Sequence, residues 1–244
     1  MKEFKNVLLV NDDGYDSKGI FALKKKIEPH CQRVVIVAPD VPMSGKSTSM
    51  TIDRALKLIK VKDDEYRLDG TPADCVSLAI TSLGIDFDLV LSGCNDGLNF
   101  SYDTMYSGTI GATMEAMKYR KRSIAFSNPF YDDFSSFNEH FEEVFAFIMS
   151  NKLLSQRYTL NVNFPVKGIY RGVKLSKLYY RDDRFEFIKQ DNGLLAKRYI
   201  KDEDYPLDSD CRDLKDGYVS ITPLARTTFN SILYSRLKKK IKNN

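Results

Sequence analysis

Four short, mostly apolar runs govern what this chain can fold into: residues 7–10 (VLLV), 33–38 (RVVIVA), 87–91 (FDLVL) and 123–127 (SIAFS). A strand inside a parallel sheet is covered on both faces, so it reads as a continuous apolar run rather than an alternating one. Helix-like segments separate the runs. Residues 17–28 space Ile20, Leu23 and Ile27 on one face and stop at Pro29. Residues 71–74 (TPAD) open a helix that runs to about Leu83, with Thr as cap, Pro at the first helical position and an acid in the first turn. A third helix opens at Ser107-Gly108-Thr109 and runs to about Tyr119, and a fourth covers 137–149. Residues 56–61 alternate and are expected to pair with 65–68 as a hairpin. This alternation of strands and helices implies an α/β fold, a doubly wound, mostly parallel sheet.

After about residue 158 the pattern changes. Residues 158–164, 173–180, 185–188 and 218–222 read as strands with few helices between them, and a final helix is expected over 228–241. We therefore expect a core at 1–157 and a β-rich C-terminal extension at 158–244, suited to oligomer contacts. A chain of 244 residues can bury such a core without staples. Its opening, MKEFKNVLLVNDDG, has the form of a buried strand rather than an export signal, and no apolar run is long enough to span a membrane. The four cysteines form no C-x-x-C pair and are expected as reduced thiols of a cytoplasmic protein.

The net charge of +4 is concentrated in a tail. Residues 236–244 hold five Lys or Arg and no acid; the rest of the chain has 32 basic and 33 acidic side chains. A nearly neutral body argues against a broad nucleic-acid-binding face. There are only two histidines, His30 and His140, each in a polar, helix-like stretch, and no nucleophile-elbow motif. Any chemistry must run on carboxylates, hydroxyls, amides or a metal.

In open parallel sheets ligands bind outside the carboxyl ends of the strands. Three loops leave such ends: 11–14 (NDDG), 39–49, and 92–99 (SGCNDGLN). Asp12 and Asp13 are adjacent carboxylates, and these repel unless a proton or cation intervenes. A hard divalent cation with oxygen ligands meets that need. The two acids cancel its charge, and neutral donors such as the Ser44 hydroxyl and the Asn95 amide oxygen complete its shell. A site left neutral can accept a dianion, which points to a phosphate substrate. The helix opening at Ser107, Gly108 and Thr109 points the same way, because a helix N-terminus attracts anions. Gly45 and Gly97 would let backbone approach the ligand closely.

Each element also has a plainer reading. NDDG is a common turn, GTPAD a capping device, and Ser107 an N-cap. Asp132, Asp133, Asp182 and Asp183 read as solvated loop acids. Tyr179, Tyr180, Phe185 and Phe187 read as strand core or interface rather than a base-stacking platform.

Six motifs in order resemble the SurE (survival protein E) family of metal-dependent nucleotide phosphatases. They are NDDG at 11–14, APD at 38–40 with SGKSTS at 44–49, GTPADC at 70–75, SGCNDGLN at 92–99, YSGTIGATME at 106–115 and GYVSITPL at 217–224. The resemblance implies a Rossmann-like core. It implies one divalent ion per subunit, Mg²⁺, Mn²⁺ or Ca²⁺, on Asp12, Asp13, Ser44 and Asn95. It implies phosphate contacts near Asn11, Gly45, Asn99, Ser107, Gly108 and Thr109, with Asp12, Asp13, Asn95 and Ser107 as the catalytic set. The implied reaction is hydrolysis of nucleoside monophosphates, chiefly 5′, with 3′-nucleotides and short polyphosphate as further substrates of some members. The implied assembly is a homodimer or homotetramer that exchanges C-terminal elements. This chain departs from the family at Asp96 and Leu98, where Ala and Pro are usual, at Cys211 for Phe, and at 16–18 (DSK) for an Ala-Pro pattern.

Three rival readings remain. An aspartyl-phosphate phosphatase wants D-x-D-x-T, which the spacing of Asp12 and Asp13 does not match. A dinucleotide oxidoreductase wants G-x-G-x-x-G where this chain has NDDG. A non-catalytic nucleotide- or RNA-binding protein would use the basic tail.

Overall fold

The computed structural model describes residues 2–130, 133–201 and 203–225, together with residues 234, 235 and 238. The closing helix expected at 228–241 and the basic tail lie outside the described residues, those three positions excepted, as does Asp132.

The strands are β1 (Phe4–Val10), β2 (Cys31–Pro39), β3 (Leu58–Lys62), β4 (Glu65–Leu68), β5 (Leu89–Asp96), β6 (Arg122–Asn128), β7 (Tyr158–Asn163), β8 (Gly172–Leu175), β9 (Asp183–Gln190), β10 (Gly193–Ile200) and β11 (Tyr218–Ala225). The helices are α1 (Lys18–Ile27), α2 (Pro72–Ser82), α3 (Asp103–Tyr106), α4 (Gly108–Lys118), α5 (Ser135–Ser150) and α6 (Asp210–Lys215). Nine strands form one sheet in the order β3-β4-β2-β1-β5-β6-β7-β11-β8, and β9 and β10 form a separate antiparallel hairpin. From β4 to β7 the pairs are all parallel; β3 and β11 run antiparallel to β4 and β7. The chain lays β2 on one side of β1 and β5 on the other, so its order reverses between β1 and β5. That reversal opens a crevice at the carboxyl ends of these two strands.

Alternate residues of β1 feed two cores, which is why its run is apolar throughout. Val7 and Leu9 pack with Ile20, Leu23 and Ile27 of α1 and with Phe137, Phe141 and Phe145 of α5. Leu8 and Val10 pack with Cys75, Val76 and Ala79 of α2 and with Ala112 and Ala116 of α4. All four β1 residues are fully buried, and each such side chain contributes about 1.5–3 kcal/mol.

Several elements differ from the sequence reading. The run at 87–91 does not end in a loop at Ser92; the strand continues to Asp96, with a register shift between Ser92 and Asn95. Gly93 and the polar residues around it hid this extension. The strand expected over 173–180 stops at Leu175, where Ser176 turns its hydroxyl onto Asp213 (2.8 Å). β10, α3 and α6 were not expected at all. Asp183 is buried in an ion network rather than solvated, because β9 begins there and faces two arginines. Phe185 and Phe187 are exposed, since no core among the described residues packs against them. Because β7 pairs with β6, the sheet runs unbroken across residue 158.

Glu65 shows how the sheet edge handles a buried charge. It accepts from Tyr15 Oη (2.6 Å) and Lys24 Nζ (3.0 Å), and Lys62 Nζ lies at 3.3 Å. Burial alone would raise its pKa, but these donors outweigh burial and hold it below the ordinary glutamate value. A carboxylate whose folded pKa is depressed stabilises the protein above its ordinary value and loses that contribution as the pH falls through the depressed one. Urea melts of Glu65→Gln should therefore show a loss of about 1–3 kcal/mol at neutral pH, narrowing on the acid side of 4.5.

Candidate active site

The crevice between β1 and β5 opens into a cavity of about 460 Å³ that gathers Asp12, Asp13, Ser44, Gly45, Asn95, Asn99 and Ser107. Each of these arrives through a local feature of the sequence. Asp12 lies two residues beyond the end of β1 and is almost fully buried. Its Oδ1 accepts from the Thr109 hydroxyl, and its backbone carbonyl accepts from Met43 N (2.7 Å), which fastens the Ser44 loop to the strand tip. Asp13 Oδ2 accepts from Asp96 N (3.1 Å).

The Ser44 loop is also tied to α2. Thr71 and Asp74 form the expected capping box, and both partners do a second job. Asp74 accepts from Thr51 N (3.0 Å) and Thr51 Oγ1 (2.7 Å), while Thr71 Oγ1 donates to Ser49 O (2.6 Å). Helix capping and loop placement are thus one network. The irregularity in β5 re-aims the chain at Asn95, as bulges do. The Asn95 Nδ2 donates to Gly97 O (2.7 Å), so the amide oxygen is the atom left for a cation.

Ser107 caps α4, its Oγ accepting from Ile110 N (3.2 Å), and lines the cavity as well. Asn99 is clamped on every side. Its N–H donates to Asn163 Oδ1 (2.7 Å), its Nδ2 donates to Ser127 Oγ (2.9 Å), and its carbonyl accepts from Asn161 Nδ2 (2.6 Å) and Asn163 Nδ2 (3.0 Å).

Three of the expected residues do not line the cavity but lie just beneath it. Asn11 is fully buried and its Nδ2 donates to Gly14 O (2.8 Å) and Ser17 Oγ (2.7 Å), holding the NDDG loop closed. Thr109 turns its hydroxyl onto Asp12. Gly108 lets α4 approach β1: a Cβ there would sit 2.8 Å from Asp12 Cβ.

The electrostatics suit a hard cation. Burial pushes the Asp12 carboxyl above its ordinary range against the opposing Thr109 bond. Burial, then repulsion from Asp12, raises Asp13 to about 6. Among the described residues neither acid forms an ion pair. The donors around them, hydroxyl and amide oxygens, are hard and neutral, which fits Mg²⁺, Mn²⁺ or Ca²⁺. Among the described residues no three His, Cys, Asp or Glu side chains are placed to hold one metal ion together, so a cation on Asp12 and Asp13 would complete its shell with neutral oxygens. The cysteines offer no alternative nucleophile: all four are buried, and burial lifts Cys75 and Cys94 far above the usual thiol range. A neighbouring cavity of about 620 Å³ is mostly apolar, and its two charged residues, Glu115 and Lys118, pair with each other at 2.8 Å.

The model of the family described as Survival protein SurE matches residues 7–184. The 5'-nucleotidase SurE of Campylobacter lari is 36% identical over 98% of this chain and 99% of its own length. The 5'-nucleotidase SurE of Vibrio cholerae is 35% identical over 89% of this chain and 90% of its own. The crystal structure of the SurE protein from Aquifex aeolicus superposes with a TM-score of 0.84 at 33% identity, covering 96% of this chain and 98% of that one. The chain belongs to the SurE family.

Within this SurE site the cavity is completed by Asp96, Leu98, Asp103, Tyr106, Phe130 and Arg198. Asp96 and Leu98 are departures from the family pattern and Tyr106 opens the YSGTIGATME motif, whereas no motif in the sequence marks Asp103, Phe130 or Arg198 for this site. Arg198 lies on β10, which an Asn192-Gly193 turn after an alternating run could have revealed. Asn161 and Asn163 alternate along β7, so both could have been placed on one face of that strand.

Gly108→Ala should press the β1 tip out of place while leaving the core packed. We expect divalent-ion affinity, measured by Mn²⁺ titration, to fall at least about tenfold. Urea stability should drop by only about 1–3 kcal/mol.

Proposed function

We propose that this SurE-family chain is a divalent-metal-dependent phosphomonoesterase that hydrolyses nucleoside 5′-monophosphates to nucleoside and phosphate. Substrates with 3′-phosphates and short polyphosphate are secondary candidates. The observation that carries the reading is the crowding of Asp12 and Asp13 at the β1–β5 crevice, with Ser44 and Asn95 beside them and no cation among the described residues paired to either acid. The names of the relatives support the nucleotide assignment.

Asp12, Asp13, Ser44 and Asn95 would hold the ion, which when bound supplies positive charge against the phosphoryl oxygens and acidity to a water. The chain's own residues supply the positioning on which phosphoryl transfer mostly depends. Ser107 lines the cavity at the positive end of α4 and donates its hydroxyl to a phosphate oxygen there. Asn99, fixed by Asn161, Asn163 and Ser127, presents a rigid amide to the same group. One carboxylate of the Asp12–Asp13 pair accepts the proton of the attacking water. Tyr106 and Phe130 line the cavity yet remain 55% and 64% exposed, which supports a flat base stacked outside the phosphate site.

The hairpin supports a homo-oligomer. Phe187 and Leu194 are each 68% exposed there, and a two-stranded ribbon is marginal alone. No helix among the described residues is long and apolar enough to cross a membrane.

Phosphate release from a panel of 5′- and 3′-nucleotides tests the activity. We expect turnover with Mg²⁺, Mn²⁺ or Ca²⁺, its loss with chelator, and a fall in kcat of about 10³ or more in folded Asp13→Asn. Full activity in metal-free protein or in that variant would overturn the mechanism. Light scattering of the full chain should give a mass of two or four subunits; a monomer would overturn the oligomer reading.

A further inference from the structure

We propose that Arg198, delivered by the β9–β10 hairpin, is a substrate-binding residue that grips the phosphate in the cavity it lines together with Asp12 and Asp13. The inference deepens the phosphatase reading and rests on it for the class of substrate.

Arg198 is the sole cation among the described residues that line the cavity, against the carboxylates of Asp12, Asp13, Asp96 and Asp103. One divalent ion offsets Asp12 and Asp13 and leaves Asp96 uncompensated, so an arriving phosphate dianion needs further N–H donors. The guanidinium is already aimed. Its Nε donates to Asp183 Oδ2 (3.1 Å), its Nη2 donates to the same oxygen, and its Nη1 donates to Asp103 Oδ1 (2.6 Å). Arginine carries five N–H bonds, so one remains on each terminal nitrogen, a pair suited to two phosphate oxygens.

The anchors are themselves held. Arg181, almost fully buried, places Nη2 3.3 Å from Asp103 and Nε 3.6 Å from Asp183. The four groups form a neutral network, so the hairpin is latched without consuming all of the arginine's donors. Asp103 lies on α3, whose last residue precedes Ser107. The latch therefore fixes Arg198 relative to the phosphate contact at Ser107, and Asp103 and Asp183 act as positioning residues.

The test uses the full chain with inorganic phosphate as probe. Calorimetry on the Mg²⁺-loaded protein should show phosphate affinity falling about 10- to 100-fold in Arg198→Met. KM for 5′-nucleotides should rise by a similar factor while kcat changes less than about threefold. Arg198→Lys should recover part of the loss, because the charge returns without the fork. Mn²⁺ affinity should not change. If Arg198→Met releases the hairpin, seen as lost hydrogen-exchange protection in β9 and β10, Arg198→Gln carries the same expectation, since its amide can still donate to an anchoring carboxylate. Unchanged phosphate affinity, or phosphate and Mn²⁺ affinity falling together, would overturn the proposal. A wild type that binds phosphate through Arg198 but hydrolyses no nucleotide would overturn the activity and leave this role standing.

Discussion

Burying two neighbouring carboxylates at the end of a strand is the constraint on which the rest of this structure depends. A buried charge is costly unless something compensates it. Here the protein supplies only partial compensation: the Thr109 hydroxyl and neighbouring backbone groups, those of Gly108 and Thr109 among them, for Asp12, and one backbone N–H for Asp13. Both acids are accordingly pushed above their ordinary range. Glu65 is the contrast within the same fold. It is as little exposed as Asp12, but Tyr15, Lys24 and Lys62 surround it and its pKa falls. The difference marks Asp12 and Asp13 as a pair kept short of positive charge, and Glu65 as a satisfied structural ion.

Holding that unsatisfied pair in place requires the surrounding loops to be rigid, and each is fastened by polar groups with defined partners. Asp74 binds the Ser44 loop while it caps α2. Asn99 is fixed through Asn161, Asn163 and Ser127. Farther out, the buried Asp210 carboxylate accepts from Ser101 N and Tyr179 N, both at 3.0 Å, and so ties the segment after Asn99 to the C-terminal part. Support of this kind keeps reacting groups within a fraction of an ångström, which positional catalysis needs.

The C-terminal part is consequently not a passive appendage. Its strands extend the catalytic sheet through β7, β11 and β8. Its α6 sends Asp210 to the site loop, and its hairpin leans on α3 through the Arg181, Asp183, Arg198 and Asp103 network. The face of the hairpin that carries Asp183 and Arg198 also carries the exposed Phe185, Phe187 and Leu194, so one element serves a site within the chain while presenting a surface for association.

Residue order alone was enough for the central sheet, the capping box at Thr71 and Asp74, and the convergence of Asp12, Asp13, Ser44, Asn95, Asn99 and Ser107. These follow from local patterns: runs buried on both faces, capping spacings, and the rule that loops at strand carboxyl ends share one edge. What residue order did not carry was the second layer and the wall at Arg198. Asn11 and Thr109 face neighbours within the fold rather than the cavity, a matter of side-chain direction that no motif encodes. Arg198 reaches Asp103 from 95 positions away, and Asn161 reaches Asn99 from 62. Such pairings exist only once the sheet is assembled and the hairpin folds back, because they depend on which faces meet in space and not on any spacing along the chain.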